Sequence, residues 1–174
     1  VRVGCLTGAE DTGAFVAGAD VNELRDRDML AQREASKRPR VYERVDDCPI
    51  PVIARINGHA LGGGCELIQA CDVRIAHERA KIGQPEINLG IMPGGGGTQR
   101  LSRPVGEGHA MRLILSGELI DAAVAADIGL VDAVHDDDGF DESLYVLAES
   151  IAAECHAAFQ LANKSVKAGS RLDP

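Results

Sequence analysis

Two glutamates in this chain stand next to glycine-rich turns. Glu66 directly follows the glycines at positions 62–64, and Glu86 lies between Gly83 and a second run of glycines at positions 94–97. Glycine lets the backbone come close to a ligand and offer its N–H groups where a side chain would block the approach. Two carboxylates that converge on such a place can pass a proton through one water molecule. The pairing predicts an active site that combines backbone N–H donors with acid–base chemistry.

The composition is that of a globular protein with an acidic balance. The 174 residues are enough for one sizeable core, and apolar residues make up 45% of them. Aromatic residues account for only 3%, so we expect a core of Ala, Val, Ile and Leu. The net charge of −9 argues against a nucleic-acid backbone or an anionic membrane as a partner. No apolar run approaches the length of a bilayer span.

The five cysteines show neither a C-x-x-C motif nor the spacing of a zinc site, and an odd number is a poor disulfide framework. We therefore expect a reducing cytoplasm and no metal site. Cys65, beside the first glycines, has two interpretations, a nucleophile or a small core residue. A lone Cys without a placed His is more often the core residue.

The order of the predicted elements indicates an α/β fold. Apolar, β-branched segments predict strands at residues 1–6, 51–56, 72–76 and 130–134. Helical spacing and glycine or acidic caps predict helices at residues 62–71, 98–103, 107–115, 121–127, 144–151 and 157–168, with a further helix beginning at Asp20 and a break near Pro39. A strand, a glycine turn, a helix and a strand follow one another within about thirty residues, which is typical of α/β proteins.

The glycine clusters do not match the common nucleotide-binding loops. Neither G-x-x-x-x-G-K-[ST] nor G-x-G-x-x-G is present, and G-x-S-x-G and H-E-x-x-H are missing as well. What remains is a geometric hypothesis, in which the N–H groups near Ala19 and Gly63 point at one oxygen. The dipole of the helix after Gly63 would add positive potential, and Glu66 would lie about one turn into that helix. This arrangement predicts a site that stabilises an oxyanion.

Several segments resemble the enoyl-CoA hydratase/isomerase (crotonase) superfamily, in the order in which that family carries them. They are FVAGAD at residues 15–20, NGHALGGGCEL at residues 57–67, GQPE at residues 83–86 and PGGGGTQRL at residues 93–101, with weaker likeness at residues 116–117 and 126–131. The resemblance covers nearly the whole chain. It implies an α/β fold with a crotonase-like spiral of ββα turns at residues 1–106, followed by a mainly helical region at residues 107–174.

The resemblance also implies the roles of individual residues. It assigns the oxyanion hole to the N–H groups of Ala19 and Gly63, and the acid–base pair to Glu66 and Glu86. The N–H group of Gly94 is expected to help to hold the catalytic water. The substrate contacts that it implies are Ala17, Asp20 and Leu61.

The activity expected from the resemblance is syn hydration of a trans-2-enoyl-CoA. Coenzyme A is then part of the substrate, and no metal or other cofactor is expected. The family normally continues before Val1 and beyond Lys167, so we expect a chain truncated at both ends, and a homo-oligomer (a trimer or a dimer of trimers) for the full length. The alternatives are a Δ3,Δ2-enoyl-CoA isomerase or another CoA-thioester lyase of the same fold, and a binding or scaffold protein without turnover.

Overall fold

The computed structural model describes residues 1–20 and 41–169. The helix expected to begin at Asp20 would continue beyond the described residues, and the break expected near Pro39 lies outside them. The strands are β1 (Gly4–Thr7), β2 (Ala14–Val16), β3 (Val52–Ile56), β4 (His59–Leu61), β5 (Val73–His77), β6 (Lys81–Gly83), β7 (Leu119–Asp121) and β8 (Ala133–His135). The α-helices are α1 (Val41–Asp46), α2 (Gly63–Ala70), α3 (Gly97–Arg100), α4 (Ser102–Ser116), α5 (Ala122–Asp127), α6 (Phe140–Ala153) and α7 (His156–Gly169), and a 3₁₀ helix spans Pro85–Leu89.

The strands form two four-stranded sheets, in the orders β1-β3-β5-β8 and β2-β4-β6-β7. All neighbours are parallel except β6 and β7, which are antiparallel. Strands that follow one another along the chain from β1 to β6 alternate between the two sheets, so each turn contributes one strand to each sheet. The α/β fold predicted from the sequence is confirmed.

The sequence predicted the strands of the first sheet better than those of the second. In β3 and β5, Ala54 and Ala76 face the main core, whereas Ile53 and Ile75 face a second cluster with Phe140 of α6. Strands that are packed on both faces are rich in apolar residues, as at residues 52–54 of β3, and sequence patterns detect them. The second sheet was missed because β2, β4, β6 and β7 have three residues each, too few to show an alternating pattern.

The structure shows where two predicted helices and one predicted strand begin or end. The expected break between the helices at residues 98–103 and 107–115 corresponds to Gly106, which has a φ of 76° inside α4. Gly129, with a φ of 81°, comes directly after Ile128, the capping residue of α5, a common way to end a helix. The strand expected at residues 130–134 begins three residues later, as β8 (Ala133–His135). Leu130 and Val131 precede this strand, and their apolar side chains are buried in the main core.

The region after residue 106 contributes to both sheets as well as to the helices. β7 pairs with β6, and β8 pairs with β5. The division of the chain into a spiral core at residues 1–106 and a mainly helical region at residues 107–174 stays a prediction. Both regions share the main core, which is built mostly of Ile, Ala, Val and Leu, as the composition predicts.

The first turn of α2 is pressed against β2, and this contact places Glu66. A Cβ atom added to Gly64 would overlap the carbonyl oxygen of Val16. Only glycine allows so close an approach of a helix to a strand. Because Gly64 is buried and two residues before Glu66, its packing fixes where α2 begins and which way the Glu66 side chain leaves the helix.

We expect Gly64→Ala to lower the free energy of unfolding by about 2 to 3 kcal/mol, because a helix and a strand must separate to admit the methyl group. Gly108→Ala is the matched control, since nothing lies within 4 Å of a Cβ at Gly108 in α4. That change should be neutral or stabilising by up to about 1 kcal/mol through higher helix propensity. Chemical denaturation of both variants measures the difference, and equal stabilities would contradict the packing argument.

Candidate active site

Glu66 is a buried carboxylate held by backbone amides. Its side chain belongs to the first turn of α2, and the residue is 3% exposed. Oε1 accepts hydrogen bonds from the N–H groups of Gly95 at 2.6 Å and Gly97 at 2.8 Å. Two such donors favour the ionised form of a carboxylate that has been removed from water. The second glycine run therefore holds the glutamate that follows the first one.

The turn that supplies these amides depends on a glycine at position 96. Gly96 has a φ of 101° and forms the amino-terminal cap of α3. This conformation is strongly disfavoured for residues with a side chain. A Cβ atom there would also lie 2.5 Å from Nη1 of Arg100. The turn between Gly95 and Gly97 is therefore shaped by the absence of a side chain at its centre.

Glu86 lies close to Glu66 but in a different environment. It is half-buried in the first turn of the 3₁₀ helix, and its Oε1 would be 3.0 Å from a Cβ atom added to Gly62. Burial raises the pKa of Glu86 above its ordinary value of 4.5, and the negative charge of Glu66 raises it further, while a backbone hydrogen bond lowers it. The two predicted carboxylates are thus brought together, and the net effect of these surroundings on Glu86 is a pKa above its ordinary value.

A buried glutamine holds the Glu86 carboxylate. The hydrogen-bonding groups around Gln84 require its amide nitrogen to face Glu86 and its amide oxygen to face Gln69. In this orientation the nitrogen donates to both carboxylate oxygens of Glu86 at 3.1 Å, and the oxygen accepts from Nε2 of Gln69 at 3.2 Å. Gln84 is fully buried, so these bonds fix the side chain of Glu86. In the sequence, Gln84 was noted only as part of the GQPE motif. Its contact with Glu86 was not predicted, because the sequence does not show that Gln84 is buried.

The backbone nitrogens predicted to form an oxyanion hole lie close together. A Cβ atom added to Gly63 would be 3.9 Å from the backbone nitrogen of Ala19, and one added to Gly18 would be 3.9 Å from the nitrogen of Gly63. The remaining predicted site residues lie around this place or on the second turn: Ala17 and Asp20 are exposed, Leu61 is half-buried at the end of β4, and Gly94 is exposed. Their roles stay predictions.

Tyr42, which the sequence analysis did not single out, lies across both glycine turns. Its ring atoms Cε2 and Cδ2 occupy the space that a side chain at Gly95 would need. Its hydroxyl oxygen lies 2.7 Å from where a Cβ atom of Gly63 would be. No local pattern in the sequence of α1 reveals this position, because it arises from the packing of α1 against α2. Tyr42 therefore borders both the proposed oxyanion site and the turn that holds Glu66.

Cys65 is a core residue. The residue is 1% exposed, and burial raises the pKa of its thiol to about 12. A thiol that stays protonated at neutral pH is a poor nucleophile. The core interpretation of Cys65 is therefore favoured over the nucleophilic one.

Within residues 1–20 and 41–169, no three His, Cys, Asp or Glu side chains come together in a way that could hold a metal ion. In the same described part of the chain, every helix is too short or too polar to cross a membrane.

Comparison with known proteins identifies the family. A sequence profile described as Enoyl-CoA hydratase/isomerase matches residues 1–174. The short-chain-enoyl-CoA hydratase of Clostridium acetobutylicum is 41% identical over 169 residues, which are 97% of this chain and 64% of that protein. The 2,3-dehydroadipyl-CoA hydratase of Escherichia coli is 45% identical over 153 residues, which are 88% of this chain and 60% of that protein. The chain belongs to the enoyl-CoA hydratase/isomerase family.

A solved structure of the same family has the same fold. The enoyl-CoA hydratase of Bacillus anthracis matches with a TM-score of 0.91 and 44% identity, over 99% of this chain and 67% of that chain. The resemblance inferred from the motifs is therefore confirmed. The chain spans less than two thirds of the length of the two hydratases from Clostridium acetobutylicum and Escherichia coli.

The raised pKa of Glu86 predicts a pH-dependent effect on stability. The folded protein binds the proton of Glu86 more tightly than the unfolded chain does, so the contribution to stability is full below the ordinary pKa of 4.5 and is lost as the pH rises through the folded-state pKa. Glu86→Gln has no carboxyl group at this position and does not lose this contribution. We therefore expect the melting temperature of the variant, minus that of the parent, to be higher at about pH 7 than at about pH 4.

The matched control for this experiment is Glu107→Gln, which makes the same change at an exposed position of α4. The melting temperature of each variant is compared with that of the parent at each pH. The difference for Glu107→Gln should be nearly the same at both pH values. A difference for Glu86→Gln that does not change with pH would contradict the proposed effect of burial.

Proposed function

We propose that the whole protein is an enoyl-CoA hydratase, which adds water syn across the double bond of a trans-2-enoyl-CoA to give a 3-hydroxyacyl-CoA. The observation that carries this proposal is the pairing of Glu66, held by two backbone N–H groups, with Glu86, whose pKa is raised. The relatives named as hydratases, at 41% and 45% identity, support the same reaction. Both names describe a substrate with a CoA thioester and a carbon–carbon double bond. We propose that the substrate of this protein has these two features.

The thioester oxygen of the substrate binds at the N–H groups of Ala19 and Gly63. When water attacks C3, electrons move from the double bond toward that oxygen, which gains enolate character. Donors that are already in place stabilise this charge without rearranging, and removing one typically costs about 3 to 4 kcal/mol of barrier. The Ala19 nitrogen lies 3.9 Å from where a Cβ atom of Gly63 would be, which supports this role. Gly94, on the turn that holds Glu66, contributes its N–H group to holding the water.

Glu66 orients the water and takes its proton. The two hydrogen bonds to Oε1 hold the carboxylate in one orientation and favour its ionised state. A base must be ionised and within hydrogen-bond reach of the proton that it removes. The way in which the glycine turn holds this side chain supports the first condition and keeps the carboxylate in one orientation.

Glu86 gives a proton to C2 of the enolate. Burial and the neighbouring Glu66 charge raise its pKa, which favours the protonated acid. Two carboxyl groups whose environments differ can take opposite roles in one reaction, although they share protons and titrate as a pair. The hydroxyl group joins C3 and the proton of Glu86 joins C2, while Glu66 holds the proton taken from the water. Transfer of that proton from Glu66 to Glu86 restores both groups. No electrons leave the substrate, so the proposal calls for no redox cofactor. The N–H donors of Ala19 and Gly63 stabilise the charge on the thioester oxygen, so it calls for no metal either.

The proposal includes the assembly and the compartment of the whole protein. Family membership supports a homo-oligomer, as a trimer or a dimer of trimers, which light scattering of the full-length protein would measure. A cytoplasmic location is supported by the cysteines, since all five are free thiols.

The two-glutamate scheme is tested by the hydration of crotonyl-CoA with full-length protein. Glu66→Gln and Glu86→Gln should each lower kcat by about 100-fold or more, because general acid–base catalysis contributes about 10² to 10⁴ in rate. The reaction is measured as the decrease in absorbance of the double bond that is conjugated to the thioester. The neutral amides preserve the size of both side chains, so binding of the substrate should change much less than turnover.

Glu107→Gln is again the matched control and should keep the activity of the parent, since Glu107 is exposed on α4. Near-parental turnover in either Glu66→Gln or Glu86→Gln would contradict the two-glutamate scheme. A parent protein that converts a 3-enoyl-CoA to the 2-enoyl-CoA, but does not hydrate crotonyl-CoA, would instead identify an isomerase.

A further inference from the structure

Arg100 folds back from α3 onto the turn that holds Glu66. Its Nη1 donates to the carbonyl oxygen of Gly95 at 2.7 Å. The guanidinium occupies the space beside Gly96 that a side chain there would fill, as the 2.5 Å separation from an added Cβ atom indicates. The side chain of Arg100 is only 14% exposed, so the contact is shielded from water.

The carbonyl of Gly95 belongs to the peptide bond between Gly95 and Gly96. The two N–H groups that donate to Glu66 belong to the neighbouring peptide bonds, that of Gly95 to the preceding one and that of Gly97 to the following one. The next carbonyl, that of Gly96, accepts from the backbone N–H of Arg100 at 2.8 Å. Arg100 therefore binds two successive carbonyls of this turn, one with its side chain and one with its backbone. Glycine peptides have little conformational preference of their own, so such contacts determine their orientation.

The guanidinium is itself held from the opposite side. Its Nη2 lies 3.5 Å from Oδ2 of Asp46 at the end of α1, and the Asp46 side chain is 16% exposed. Lys167 of α7 donates to the backbone oxygen of Asp46 at 2.6 Å and lies 2.8 Å from Oδ1 of Asp72. An arginine can reach the carbonyl and the carboxylate at once because its guanidinium presents donors in a rigid fork.

We propose that Arg100 is a positioning residue, whose guanidinium fixes the Gly95–Gly96 peptide and thereby aims the N–H groups that orient Glu66. This inference rests on the proposed hydratase reaction for its catalytic readout. Arg100 makes its contact with the turn and acts through Glu66. Loss of the guanidinium leaves both donor amides in the chain but lets them turn away from the carboxylate.

Arg100→Gln should lower kcat for crotonyl-CoA hydration by about 10- to 100-fold, with a change in KM below about 3-fold, because it disturbs the orientation of a base. Arg100→Lys should lose less, since it keeps the charge but its single ammonium group cannot hold Gly95 and Asp46 with the same fork. The matched control is Arg103→Gln, at an exposed arginine beside the same turn, which should stay within about 2-fold of the parent.

A double-mutant cycle separates positioning from general damage. If Arg100 acts through Glu66, adding Arg100→Gln to Glu66→Gln should lower the residual kcat by less than about 3-fold. An equal loss in both backgrounds would overturn the proposal, as would near-parental kcat in Arg100→Gln. If Arg100→Gln does not fold, a kcat for Arg100→Lys equal to that of the parent would overturn it too.

Amide hydrogen exchange tests the inference without any turnover. In Arg100→Gln, or in Arg100→Lys if only that variant folds, the amides of Gly95 and Gly97 should exchange at least about 10-fold faster than in the parent, whereas Arg103→Gln should leave them unchanged. A parent protein that does not hydrate enoyl-CoA would disprove the proposed function, and the exchange rates would still decide the role of Arg100. Unchanged exchange in the Arg100 variant would overturn the inference, even in an active enzyme.

Discussion

The burial of the Glu66 carboxylate is the constraint around which the site is organised. A charge removed from water must find hydrogen-bond donors, or the fold loses several kcal/mol. Here the donors are backbone N–H groups of Gly95 and Gly97, 29 and 31 residues further along the chain. The start of α2 and the turn before α3 must therefore meet with an accuracy of a few tenths of an ångström. The close packing of Gly64 on β2 fixes one partner, and the contacts of Arg100 fix the other.

The neighbouring glutamate shows how one site holds two carboxyl groups with opposite tendencies. Glu66 receives backbone donors, which favour the charge. Glu86 receives a glutamine amide but is also half-buried beside that charge, so its pKa rises. The difference in environment, rather than any difference in residue type, separates the base from the acid in the proposed reaction. The two environments are coupled, because the charge of Glu66 is one cause of the shift at Glu86.

Local patterns in the sequence were sufficient to single out the glycine turns and the two glutamates, whose roles stay predictions, and to predict the strands of the first sheet. Those features depend on neighbours along the chain or on apolar runs such as residues 52–54 of β3. The strands of the second sheet are too short to produce a pattern. Tyr42 and Arg100 were not recognised because their positions depend on contacts between distant segments. A tyrosine in a charged stretch and an arginine after glycines resemble ordinary surface residues until the packing of α1 against the turn is known.

Glycine gives this turn its shape, but glycine alone would leave the turn poorly ordered. Residues that admit many backbone conformations lose the most entropy when they are fixed, so the order must come from groups outside the run. The ring of Tyr42 covers Gly95, and the guanidinium of Arg100 fills the space beside Gly96. Asp46 of α1 then joins Arg100 to Lys167, so α3 and α7 meet at the same carboxylate. The orientation of the Glu66 carboxylate, the base of the proposed reaction, thus rests on ion pairs between helices that lie far apart in the sequence. Local motifs single out the two glutamates, but they carry no information about these long-range contacts.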